Sequence, residues 1–148
     1  MPDPIRPALI VSLFASAAAC GPTDGIDDDG AIYDGVAPGA EIRVTGTEPF
    51  FAFAIEPGEG SDFAVRYTNP ETPDGIEFIA GRFAGNNGIS FSGELEGKAV
   101  QIAITPGECS DGMSDRVYPF TATVAFGEET LLGCAYTSEA PFAGPQSP

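Results

Sequence analysis

Glu48, Asp111 and Asp115 are the carboxylates set in the most distinctive local sequences of this 148-residue chain, and Arg116 follows directly after the last of them. Glu48 lies in Gly46-Thr47-Glu48-Pro49-Phe50-Phe51. Asp111, Asp115 and Arg116 lie in Cys109-Ser110-Asp111-Gly112-Met113-Ser114-Asp115-Arg116-Val117-Tyr118-Pro119-Phe120. Brought together by a fold, such carboxylates can perform acid–base chemistry when their environments push their pKa values apart. They can also bind a hard cation such as calcium. In either case Arg116 would serve as counter-ion and Phe51 would cover a groove, which makes these five residues the candidate ligand or ion site. The plainer reading of the same residues weighs more. Asp111-Gly112 is turn chemistry, and Ser114 or Asp115 suits a cap. The chain has no histidine, so it lacks the commonest general base and a common metal ligand. A Ser-His-Asp triad is excluded within it. No catalytic residue, metal ligand or cofactor is assigned. The glycines lack the strand-to-helix context of dinucleotide or P-loop motifs.

The elements that must position these residues carry strand grammar. Ile42 and Val44 alternate with polar neighbours, and Phe51, Phe53 and Ile55 alternate with Ala52 and Ala54. Further runs follow at Phe63–Tyr67, Ile76–Phe83, Ile89–Leu95, Val100–Ile104, Phe120–Phe126 and Leu131–Tyr136. Asn86-Asn87-Gly88 is a hairpin signal, because Asn and Gly accept positive φ. Gly127-Glu128-Glu129 is a second turn. Apolar residues nowhere recur at helical spacing for more than a turn. The expected fold is all-β, a small antiparallel barrel or sandwich of seven to eight short strands. At most one helical turn is expected, within residues 106–119. Pro49 cannot donate to a strand ladder, which predicts a strand start or bulge at Thr47-Glu48-Pro49. Phe50 and Phe51 are adjacent, so one faces the core and the other faces out.

The N-terminus reads as an export signal. Met1–Pro7 is polar with Arg6, Ala8–Phe14 is apolar apart from Ser12, and Ala15–Ala19 are small residues before Cys20. About a dozen such residues fit a secretory signal peptide and are too few to cross a hydrocarbon core roughly 30 Å thick. Cys20 after Ala17-Ala18-Ala19 resembles a bacterial lipobox. That resemblance implies lipidation of Cys20 and cleavage before it, although Ala17 stands where Leu is usual. Gly21, a non-acidic residue after the cysteine, points to the outer membrane. With Cys20 lipidated, Cys109 and Cys134 remain as an even pair. In an oxidising compartment the pair reads as one disulfide, with a reactive thiol or a thiolate metal site as alternatives.

Residues 1–19 are therefore expected to be the signal peptide. Residues 20–38 would be the lipidated N-terminus and a disordered acidic tether, 39–138 the β domain and 139–148 a disordered tail. Within the tether, Asp27-Asp28-Asp29-Gly30 lacks the alternating spacing of an EF-hand. The chain has 22 acids against 6 bases and a net charge of −16. Removing residues 1–19 takes one acid, Asp3, and one base, Arg6, so the mature charge is unchanged. This excludes nucleic acid, whose phosphates demand a basic face. It also opposes direct electrostatic docking to anionic headgroups, which leaves the lipid anchor as the expected link to the membrane.

The two distinctive segments, with Leu132-Gly133-Cys134-Ala135, resemble a family of uncharacterised bacterial lipoproteins. That family carries Gly-x-Glu-Pro-Phe-Trp and Cys-Ser-Asp-Gly-Met-Ser-Asp motifs and sometimes accompanies the META-type lipoprotein domain. The resemblance covers residues 41–136 and departs at Phe51, where Trp is usual. It implies an exported β-rich domain and gives no activity. The leading functional expectation is a membrane-anchored interaction or ligand-binding module, not an enzyme. It would face the periplasm, with an envelope protein or a small molecule as partner. A structural or stress-related envelope lipoprotein without a dedicated ligand is the first alternative. A carboxylate-dependent hydrolase is the second.

Overall fold

The computed structural model describes residues 32–145. The signal peptide, Cys20 and the tether up to residue 31 lie outside the described residues. Eight antiparallel strands close into a barrel in simple up-and-down order. They are β1 (Ile42–Thr47), β2 (Phe50–Pro57), β3 (Asp62–Thr68), β4 (Ile76–Ala84), β5 (Ile89–Leu95), β6 (Lys98–Cys109), β7 (Tyr118–Phe126) and β8 (Glu129–Thr137). The sheet closes where Ile42–Thr45 of β1 pair with Thr137–Cys134 of β8. Closure removes the edge strands that an open sheet would expose.

Alternation decides what fills the barrel. Eight strands leave an interior about wide enough for side chains alone. Phe53, Ile55, Val65, Phe91, Ile102 and Val124 lie there with almost no exposed surface. Aromatic rings interlock along it, Phe51 against Phe53, Phe53 against Tyr67 and Tyr67 against Phe126, with centroids 5.0–5.8 Å apart. Edge-to-face and tilted contacts of this kind add to the area they bury.

The turns follow from residue type. Glu96 and Gly97 both have positive φ, 51° and 78°, as a two-residue type I′ hairpin demands. The hairpin expected at Asn86-Asn87-Gly88 joins β4 to β5. Its positive φ falls on Gly88 alone. A Cβ there would lie 2.2 Å from the Ile104 carbonyl oxygen, so close backbone approach reserves the site for glycine.

Three expectations need correction, and a fourth falls within its stated limit. Thr47-Glu48-Pro49 is neither a strand start nor a bulge. Thr47 pairs with Phe50, and Glu48-Pro49, joined by a cis peptide, forms the two-residue link between β1 and β2. Residues 106–119 hold no helical turn, within the expected limit of at most one. Instead β6 runs on to Cys109 with a register shift after Pro106, and bends follow. Residues 32–38, expected in a disordered tether, pack on the barrel. Val36 is 2% exposed, the Tyr33 amide donates to the Gly85 carbonyl, and Arg82 Nη2 donates to the Val36 carbonyl. The expected tail is likewise packed as far as it is described. Val117 and Ala143 exchange backbone hydrogen bonds, and Phe142 meets Tyr118 and Tyr136 at 5.5 and 5.1 Å. Both flanks are short and scatter a few apolar anchors among polar residues. Periodicity reveals only residues that repeat along an element.

Candidate functional site

Cys109 and Cys134 form a disulfide, with Cα atoms 5.6 Å apart. It fastens the loop after β6 to β8. From there the loop reaches β1, where Thr47 Oγ1 donates to the Asp111 carbonyl oxygen at 2.9 Å. The two distinctive segments of the sequence therefore meet in space.

Asp111 organises this loop. Its Oδ1 accepts from the amides of Met113 (3.0 Å) and Ser114 (2.8 Å). Its Oδ2 accepts from Ser114 Oγ (2.7 Å) and Tyr118 Oη (3.2 Å). These bonds favour the charged form. Led by the Ser114 hydroxyl, they hold the carboxyl at about 2, well below its usual range. Burial, with the Asp111 charge beside it, pushes the Tyr118 phenol up. A carboxylate so engaged is a poor proton acceptor at neutral pH.

The other expected site residues stand in different settings. Glu48 is exposed on the β1–β2 turn, and Asp115 is exposed on the loop. Among the described residues no group of three His, Cys, Asp or Glu side chains is placed to hold a metal ion. Arg116 donates Nε to the Pro145 carbonyl at 2.8 Å and lies over the Phe142 ring at 4.6 Å. Phe51 is a core residue, 4% exposed against 54% for Phe50. Its ring occupies the space a side chain would need at Gly46, where a Cβ would sit 2.1 Å from the ring, and it nears Gly133 in the same way. Gly46 is thus explained by the ring that covers it, whereas at Gly133 the nearer obstacle is the Thr45 carbonyl oxygen, 2.3 Å from where a Cβ would sit.

A different site lies on the outer face of β1, β2 and β3. The outward residues of β2 include Ala52 and Ala54, and their small size leaves a trough along the strand. Register fixes its walls. One row runs Tyr136, Arg43, Ala54, Arg66, Glu77 across five strands, and the next runs Cys134, Thr45, Ala52, Thr68. Two arginines thus flank Ala54, and two threonines flank Ala52. Arg116, Tyr118 and Tyr136 close one side of a groove of about 270 Å³. A second groove of about 320 Å³ continues past Ala54 to Ala64, between the pairs Arg43–Glu56 and Arg66–Glu77. Of the expected site residues only Arg116 belongs to this trough. Sequence reading missed the others because an outward alanine is unremarkable alone. The alternation Phe51-Ala52-Phe53-Ala54 was its one visible signal, and the flanking residues needed the register.

Comparison with protein-family models, with curated proteins and with solved structures finds nothing that matches this chain.

Proposed function

We propose that this chain is an exported lipoprotein, anchored through Cys20, whose barrel is a non-catalytic binding module. The outer face of β1–β3 presents the binding surface. The observation that carries this reading is the trough along β2. It is concave, floored by alanines, and lined by guanidinium, hydroxyl and phenol groups, the mixture of apolar surface and convergent polar groups that marks ligand sites. The barrel lumen is occupied by the protein's own aromatic and aliphatic side chains, so binding belongs outside it. Engagement of Asp111 by four hydrogen bonds argues against the hydrolase reading.

The anchor and the module are tested separately. Cys20→Ser should abolish fatty-acid labelling and release the protein from membranes; label retained on the variant would overturn the anchor. The mature Cys20→Ser chain, exposed to envelope extract, should carry a bound species in native mass spectrometry. Ala54→Phe, which fills the trough, should remove that species at unchanged melting temperature. A species indifferent to Ala54→Phe, or no species at all, would overturn the module.

A further inference from the structure

We infer that the trough takes a small ligand bearing an oxyanion, a carboxylate or a phosphate, held over Ala54 between Arg43 and Arg66. This inference rests on the binding-module reading and names the chemistry of its ligand. The first support is charge distribution. The chain carries 22 acids and 6 bases. The described residues hold five basic side chains, Arg43, Arg66, Arg82, Lys98 and Arg116. Three of these five line one groove, and the acids that line its continuation past Ala54, Glu56 and Glu77, are the partners of Arg43 and Arg66. A surface this acidic would not produce such a cluster by even mixing.

The second support is geometric. Arg43 and Arg66 each pair in register with Ala54, one from each side. Neighbouring strands lie about 4.8 Å apart, so the two arginine backbones stand roughly 10 Å apart across an alanine gap. A planar guanidinium presents five donors in a fork that matches carboxylate and phosphate oxygens. Arg43 meets Glu56 through Nη2, and Arg66 meets Glu77 through Nε and Nη2. Both arginines and both glutamates are substantially exposed. Exposed ion pairs are weak, so an incoming oxyanion can share or replace these partners. Thr45 and Thr68, one row along, add hydroxyl groups beside Ala52.

Ligand size follows from screening. A net charge of −16 repels a polyanion as a whole. A small ligand with one or two charges samples only the field within a Debye length, about 8 Å at physiological salt, where the arginines and their glutamate partners offset the distant acids' repulsion and leave guanidinium donors to meet it directly. Closure of the barrel leaves no strand edge at β2 for a peptide to extend. Recognition is therefore by side-chain donors, with the alanine floor and Tyr136 taking the ligand's ring or short chain.

The test uses the mature Cys20→Ser chain labelled with nitrogen-15, following arginine Nε–H signals during titration at low ionic strength. The probes are inorganic phosphate, acetate and D-glucuronate, with D-glucose as the neutral control. At least one anion should shift the Arg43 and Arg66 signals saturably, and glucose should not. Tighter binding of glucuronate than phosphate would show that the organic part also makes contact. Preference for phosphate would assign the site to a phosphate ester. The Arg43→Gln, Arg66→Gln double variant should bind at least tenfold more weakly with a nearly unchanged melting temperature. Lys98→Gln, outside the trough, should bind as wild type. Anions that bind no better than glucose would overturn the inference, as would binding that survives the double variant or falls equally in Lys98→Gln. Should Ala54→Phe still remove a species captured from extract while no anion binds, the module stands and this inference alone falls.

Discussion

Asp111 shows how one side chain can look like chemistry and act as structure. Four donors surround its two oxygens within eight residues of chain. Its carboxyl is held at about 2, against roughly 3.9 in an unfolded chain. A depressed pKa means that the stabilisation is fully present above the unfolded value and disappears as pH falls through the folded one. Asp111→Asn should therefore lower stability at neutral pH by about 1 kcal/mol, a figure reduced for the partial exposure of the site. The gap between variant and wild type should close between about pH 4 and pH 2. Urea unfolding at several pH values checks this, and a gap constant down to pH 2 would contradict it. Phe51 makes the complementary point. Its neighbour at Gly46 has no side chain because the ring already occupies that volume.

At the scale of elements, the loop after β6 is the least regular part of the barrel and the most heavily fastened. The Cys109–Cys134 disulfide spans 25 residues of sequence and fixes the loop to β8, while Thr47 ties it to β1. In the chain-entropy account a loop of this size is worth roughly 3 kcal/mol. The Cys109→Ser, Cys134→Ser double variant should lose about that much in urea unfolding and expose the loop to proteolysis. An unshifted unfolding midpoint would show that the hydrogen bonds alone hold it. β2 carries the opposite lesson. Large residues point inward from it and small ones outward, so one strand fills the core and also leaves a trough on the surface. The alternation was plain in the sequence. That its alanines lie between Arg43 and Arg66 depended on pairings with β1 and β3.

For the whole molecule, the dominant global feature is charge. The described residues hold 17 acids and 5 bases, a net −12, which strains the compact state by self-repulsion, and salt relieves it. The melting temperature should rise between low salt and about 0.5 M sodium chloride. If screening is worth about 1 kcal/mol, the rise is about 3–5 °C for a chain of this size. Calorimetry on the mature Cys20→Ser chain reads this directly; a flat or falling curve would mean that the acids are spaced too widely to interact. The same argument limits the trough, since only a small anion can approach it against the overall field.

The amino-acid sequence by itself determined the all-β class, a set of seven to eight short strands and their spacing, and the alternation of strands such as β1, β2 and β6. These depend on period-two alternation, which is local and needs no partner strand. It also set the expectation that Cys109 pairs with Cys134, the pair found in the structure. Tertiary structure alone decided that the sheet closes as a barrel, because closure rests on β1 meeting β8 across the length of the domain. It alone set Asp111 among hydrogen-bond donors and left Glu48 and Asp115 exposed, and it alone brought Arg43, Arg66 and Arg116 to one trough. Residues distant in sequence become neighbours through strand register and loop path, and local side-chain preferences carry neither.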